Sequence, residues 1–134
     1  MKHSILKRIE FCYGHRLMDY EGACSRLHGH NGMAEIELST SKLNDLGMVH
    51  DFGDVKKILR SFVDEKLDHR MILRKDDPFV KIIRDQGEEA FVLEDNPTAE
   101  NIAKLIFDHA VAEGLPVERV RLWETSTSCA EYSV

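Results

Sequence analysis

The chain has 134 residues, 43% of them hydrophobic and 31% charged, with three Cys and a formal net charge of −6. That composition excludes a disordered chain. The acidic balance (pI near 5.6) disfavours a general nucleic-acid binder, which carries a basic face. No apolar run approaches the ~18 residues of a membrane span. The opening "MKHSILKRIEF" lacks the apolar core of an export signal, and an odd number of Cys reads as reduced thiols, so residues 1–134 are expected to form a single cytoplasmic domain with no membrane partner.

Taken in chain order, Ser4–Tyr13 mixes apolar and charged residues in rough alternation and predicts a strand. "MAEIELST" (33–40) alternates more cleanly and predicts a second. "SKLNDLGM" carries the turn residues Asn44, Asp45 and Gly47. From Asp51 the period changes: Val55, Ile58, Leu59, Phe62, Val63 and Leu67 recur at three and four residues, the stripe of an amphipathic helix. Asp51 and Asp54 suit its first turn, where carboxylates meet the positive end of the dipole. "DDPFVKIIRDQG" predicts a short helix between Pro78 and Gly87, and "EAFVLE" a short strand. "NPTAENIAKLIFDHAVAEG" predicts a second long helix, with Asn96 as its cap, Pro97 in its first turn and Gly114 at its end. "ERVRLWETS" and "CAEYSV" predict closing strands. The pattern argues for α+β: an antiparallel sheet with two main helices on one face. Its open edges invite self-association.

Chemistry concentrates in "CYGHRLMDYEGACSRLHGH". His28 and His30 flank one Gly, so on extended chain they point to the same side. If the first two strands pair, His15 reaches the same point. Three imidazoles leave a fourth position open, as in a catalytic zinc site, although imidazole also suits copper, iron and nickel. Cys24 lies four residues before His28 and two before Arg26. A thiol near a cation or an arginine is acidified and serves as a base or nucleophile; it can equally be a fourth ligand, or merely pack. Cys12 and Cys129, on strands, are expected in the core. Asp68 beside His69 ends the first long helix, either as a proton-transfer pair or as a helix-end cap. Glu124 falls on an otherwise apolar strand end. A buried carboxylate there needs partners and could accept two N–H bonds from the guanidine-like edge of a pterin or guanine; otherwise it is an ordinary exposed strand residue.

In order along the chain, "FCYGHRL", "CSRLHGHN", "GMVHDFGDVKKIL", "LDHRMIL", "NPTAENIAKLIF" and "LWETSTSCAEY" resemble the motifs of the 6-pyruvoyl- and 6-carboxy-tetrahydropterin synthase family. The resemblance runs nearly end to end. It implies the tunnelling fold, in which three sheets close into a barrel and two such trimers stack as a hexamer. It implies Zn2+ held by His15, His28 and His30, Cys24 as catalytic base, Asp68 and His69 as its proton-transfer partners, and Glu124 as pterin anchor. The implied substrate is 7,8-dihydroneopterin triphosphate. The spacer Ser25-Arg26-Leu27 between Cys24 and His28 resembles the 6-carboxy branch of the queuosine pathway more than the animal pyruvoyl enzymes. The alternatives are the pyruvoyl synthase itself or a non-catalytic pterin- or purine-binding protein with structural zinc. Arg16, Arg26 and Arg70 flank the implied site, and at least one of them is expected to approach the triphosphate, from the same or a neighbouring subunit. The segment "RKDDPFVKIIRDQGEEAFVLE" is longer than in compact members and is expected to decorate a sheet edge.

Overall fold

Alternation builds the centre of the molecule. In the computed structural model, which describes residues 1–134, β1 (His3–His15) and β2 (His28–Thr40) pair antiparallel over their whole length, from His3 opposite Thr40 to His15 opposite His28. β5 (Val117–Thr125) continues the sheet beside β2, and β6 (Ser128–Ser133) beside β5, both antiparallel. On the other side of β1 lie β3 (Arg70–Arg74) and then β4 (Ala90–Leu93), giving the order β4-β3-β1-β2-β5-β6 in a sheet curled as a half-barrel.

Both of these outer strands run parallel to β1. The sheet is therefore mixed, which corrects the expectation of an antiparallel one. The cause is the connection: α2 (Phe79–Asp85) carries the chain from the end of β3 back to the start of β4. A helical crossover of that kind returns the chain to the same end of the sheet and enforces parallel pairing. The segment 70–95 does sit at a sheet edge as expected, but as two strands and a helix.

α1 (Phe52–Lys66) and α3 (Ala99–Ala112) cover one face. Val55, Leu59, Val63 and Leu67 meet Ile9, Phe11 and Tyr13 of β1, Ala34, Ile36 and Leu38 of β2, and Ile102 and Ile106 of α3 in one core cluster of 20 buried residues. Asp51 caps α1 by accepting from the Asp54 N–H. The cap of α3 is Thr98, whose hydroxyl accepts from the Asn101 N–H, and not Asn96. Asn96 is engaged elsewhere: its side-chain amide accepts from Met18 N–H at 2.8 Å and donates to Met18 C=O at 2.9 Å, tying down the loop between β1 and β2.

On the opposite face, β3 and β4 carry α2, whose Val80 packs against Leu73 and Ala90, and β1, β2, β5 and β6 carry no helix. Arg8, Glu35, Glu37, Arg119, Arg121 and Glu131 form ion pairs across those four strands, and the Trp123 indole N–H donates to Glu35. Cys12 and Cys129 point to this face and are exposed, against the expectation that they pack in the core. Phe11 and Tyr13 take the core-facing positions on either side of Cys12, and Ala130 and Tyr132 do so beside Cys129. With a period of two, the intervening thiols must face outward. No helix is long and apolar enough to cross a membrane.

Candidate metal centre and active site

The register of β1 and β2 sets His15 directly across from His28, and Tyr13 across from His30. All four side chains leave the sheet on the side of α1 and α3, with Tyr13 inside the core cluster and the imidazoles at its end. The three imidazoles each offer a ring nitrogen, and these atoms lie within 4.8 Å of one another. His15 is 3% exposed, whereas His28 and His30 are half-buried, so the cluster is closed behind and open in front. Gly29 is needed for close approach and not for bending: a Cβ there would lie 3.0 Å from the Tyr13 carbonyl oxygen.

The backbone fixes the imidazole protons. His15 Nδ1 lies 2.7 Å from the Pro97 carbonyl, and His28 Nδ1 lies 2.7 Å from the Arg26 carbonyl. A carbonyl only accepts, so each Nδ1 carries the hydrogen and each Nε2 presents a lone pair. Orienting contacts of this kind hold histidines for a metal. The Nε2 atoms of His15 and His30 stand 3.1 Å apart. Oε2 of Glu124, near the end of β5, lies 3.0 Å from His30 Nε2 and 3.3 Å from His15 Nε2. Contact with His15, outweighing burial, holds the Glu124 carboxyl below its usual range. Burial is the leading cause that holds His30 below its ordinary value, against the pull of Glu124. Lone pairs and a carboxylate converging at this separation repel one another unless a cation or protons lie among them. The donor set thus fits a single divalent cation such as zinc.

Tyr13 is the residue that sequence reasoning missed. Its ring is 1% exposed and meets the His15 ring edge-on at 5.2 Å. Its hydroxyl lies 3.5 Å from Glu124 Oε2. Burial, with the Glu124 carboxylate adding to it, pushes the phenol far above its ordinary pKa, so it stays protonated. Pro97 was missed too, because only its backbone carbonyl takes part.

Cys24 sits on a single turn of 3-10 helix, Ala23–Ser25, and is exposed. Its carbonyl accepts from the Leu17 N–H at 2.8 Å, which holds the turn beside the end of β1. The sulfur is not among the atoms that converge in the cluster.

Asp68 and His69 lie elsewhere. They follow α1, with His69 in the left-handed region at φ 59°. His69 Nδ1 is 2.9 Å from Asp68 Oδ2. Asp68 Oδ1 accepts from Cys12 N–H at 2.9 Å, and the His69 N–H donates to Cys12 C=O at 2.6 Å. Burial would raise the Asp68 carboxyl, but these contacts hold it below its ordinary range. The pair lines a hollow of about 460 Å³ with Glu10, Cys12, Asn31 and Met33, whose side chains belong to the sheet face opposite α1 and α3. One chain therefore does not bring Asp68 and His69 to its own imidazole cluster.

The arginines divide. Arg16 makes two 2.7 Å contacts to Asp77, which is 3% exposed, and lies 4.4 Å over the Phe79 ring. It fastens the α2 segment to the end of β1, which leaves the expected phosphate contact to the other two. Arg70 donates to the Asp68 and Glu65 carbonyls at the end of α1. Arg26 is exposed and has no side-chain partner.

A half-barrel α+β sheet carrying three converging imidazoles and a carboxylate at its open end defines a protein whose site could hold a cation beside a small hollow. The chain belongs to the 6-pyruvoyl tetrahydropterin synthase family, which it matches over residues 4–134, a family of lyases. It is 36% identical over 132 residues to the 6-carboxy-5,6,7,8-tetrahydropterin synthase of Rickettsia conorii, covering 93% of this chain and 96% of that one. A crystal structure of an uncharacterized Wolinella succinogenes protein superposes with a TM-score of 0.80 at 29% identity, covering 99% of this chain and 98% of that one. The Caenorhabditis elegans 6-pyruvoyl tetrahydropterin synthase shares the fold, with a TM-score of 0.73 at 23% identity over 100% of this chain and 96% of that one.

Proposed function

We propose that this protein is a zinc-dependent 6-carboxy-5,6,7,8-tetrahydropterin synthase, converting 7,8-dihydroneopterin triphosphate with release of acetaldehyde and triphosphate. The observation that carries the reading is the imidazole cluster, with Nδ1 protons committed to backbone carbonyls and Glu124 at its rim. The names of the relatives, spanning nearly the whole chain at 31–36% identity, support the carboxy branch over the pyruvoyl one.

His15, His28 and His30 would hold the zinc, which when bound supplies Lewis acidity to the substrate's side-chain hydroxyls. Glu124 separates the cluster from a hollow of about 250 Å³ between the start of α3 and β6. From there its carboxylate can accept N–H bonds from the guanidine-like edge of the pterin. Cys24 is free of the cluster and serves as base on one face of the substrate. Asp68 orients His69 for proton transfer on the other. Because that pair opens on the far face of its own sheet, a second copy of the chain must present it, in a trimer or hexamer. Arg26 is the cation available to the triphosphate.

Incubation with 7,8-dihydroneopterin triphosphate, with mass analysis of the products, tests the proposal. Acetaldehyde and 6-carboxy-tetrahydropterin are expected. A pyruvoyl product without acetaldehyde would move the protein to the other branch, and no turnover by the zinc-loaded protein would leave it a binding protein.

A further inference from the structure

Tyr13 has no task in the chemistry above, yet it is built into the site. Its ring occupies space that Gly32 leaves open: a Cβ at position 32 would lie 2.8 Å from it. Phenylalanine would fill the same space. The hydroxyl is the addition, and a buried hydroxyl is costly without a partner. Its partner is Oε2 of Glu124, at 3.5 Å, the same oxygen that lies beside His15 and His30.

These partners are not equivalent. His15 gives its Nδ1 hydrogen to Pro97, so its Nε2 turns a lone pair toward Glu124. An imidazole that ligates through Nε2 has no hydrogen there to give. With a metal bound, neither imidazole can donate to Glu124, which stands next to a cation for which carboxylate is an ordinary ligand. A fourth protein ligand would close the site. The donor on this chain still aimed at Oε2 is then the Tyr13 hydroxyl.

We propose that Tyr13 is a positioning residue whose hydroxyl holds the Glu124 carboxylate off the metal and keeps it available to the pterin. This rests on the anchoring role given to Glu124 above. The test uses the zinc-loaded full chain as wild type, Tyr13→Phe, Glu124→Gln and the double variant. Two quantities are read: the rate of zinc transfer to the chelator 4-(2-pyridylazo)resorcinol, and the Kd for neopterin from its fluorescence. In Tyr13→Phe the carboxylate turns to the metal, so zinc release slows and neopterin binding weakens, each on the order of tenfold, the scale of contacts behind a metal ligand. Adding Glu124→Gln to Tyr13→Phe returns zinc release to the wild-type rate. Glu124→Gln alone leaves zinc release unchanged and weakens neopterin. Tighter zinc with weaker pterin cannot come from a loosened core, which would speed zinc loss. Unchanged or faster zinc release in Tyr13→Phe overturns the proposal. So does faster release in Glu124→Gln alone, since the carboxylate would then already be a ligand. If Glu124→Gln leaves neopterin binding intact, the anchoring role itself fails, while the zinc-release rates still decide the role of Tyr13.

Discussion

Replacing Asp77 by Ala removes a carboxylate whose side chain is fully covered while leaving Arg16, only 20% exposed, beside it. Breaking a buried pair from one side typically costs about 3–5 kcal/mol, because the remaining charge keeps its desolvation penalty without its partner. Arg16 can recover some water through its exposed fraction, which places the cost near ~3 kcal/mol. The Phe79 N–H at the start of α2 also loses its acceptor, which adds ~1 kcal/mol if water does not replace it. For a domain of this size the sum lowers Tm by roughly 14 °C. Thermal unfolding at one fixed protomer concentration measures it, since association would shift Tm by mass action. Arg16→Met combined with Asp77→Leu should recover most of the loss, because apolar replacement of both partners leaves no orphaned charge. The pH dependence has a definite sign. Burial alone would raise the Asp77 carboxyl, but Arg16 and the Phe79 N–H hold it below its ordinary value. A depressed carboxyl contributes stability above its unfolded pKa of about 3.9, and loses it as pH falls through the folded value. The gap between wild type and Asp77→Ala should therefore be full at neutral pH and close in acid below that value. A drop in Tm of less than about 2 °C at neutral pH would show that the pair is solvated and the reasoning wrong.

His28→Ala should strip zinc and abolish turnover, and full metal occupancy in that variant would remove the cluster from consideration. Cys24→Ala should keep its zinc and its pterin affinity but lose most turnover; metal leaving with the thiol would make the site structural. Arg26→Glu should raise KM for the triphosphate substrate with little effect on Tm, whereas Arg16→Glu should chiefly destabilise; equal KM effects would contradict the division of the arginines. Light scattering should give a multiple of three protomers, and a monomer at micromolar concentration would leave Asp68 and His69 without a route to the imidazoles.

Much of the architecture was legible because burial imposes periods on the sequence. Val55, Leu59 and Val63 announced α1, and alternation announced the strands that pair antiparallel. β3 escaped because Arg70–Arg74 offers only three consecutive apolar residues directly behind α1, too few to show a period, and the direction of pairing depends on a crossover that no local pattern encodes. Cys12 and Cys129 were misplaced because a thiol fits either face, and their neighbours decide. Thr98 capped α3 because Asn96 was drawn away by Met18, a contact between positions distant in sequence. The histidines were visible from spacing and strand pairing alone. Tyr13 was not, since an aromatic on a strand ordinarily means core, and its hydroxyl matters only beside Glu124.

The bond from His15 to the Pro97 carbonyl makes the backbone leading into α3, and not a side chain, responsible for orienting an imidazole of the cluster. Residue 97 can change identity without disturbing that acceptor, so long as the start of α3 stays where it is. What holds it there is remote: Ile102 and Ile106, both fully buried. Trimming either one would let the helix settle toward the sheet and carry the carbonyl with it. Variation in the core would then surface as a change in the spacing of the imidazoles before any loss of fold, and the tolerance of the site to mutation would be limited by packing more than a turn of helix away from the nearest imidazole.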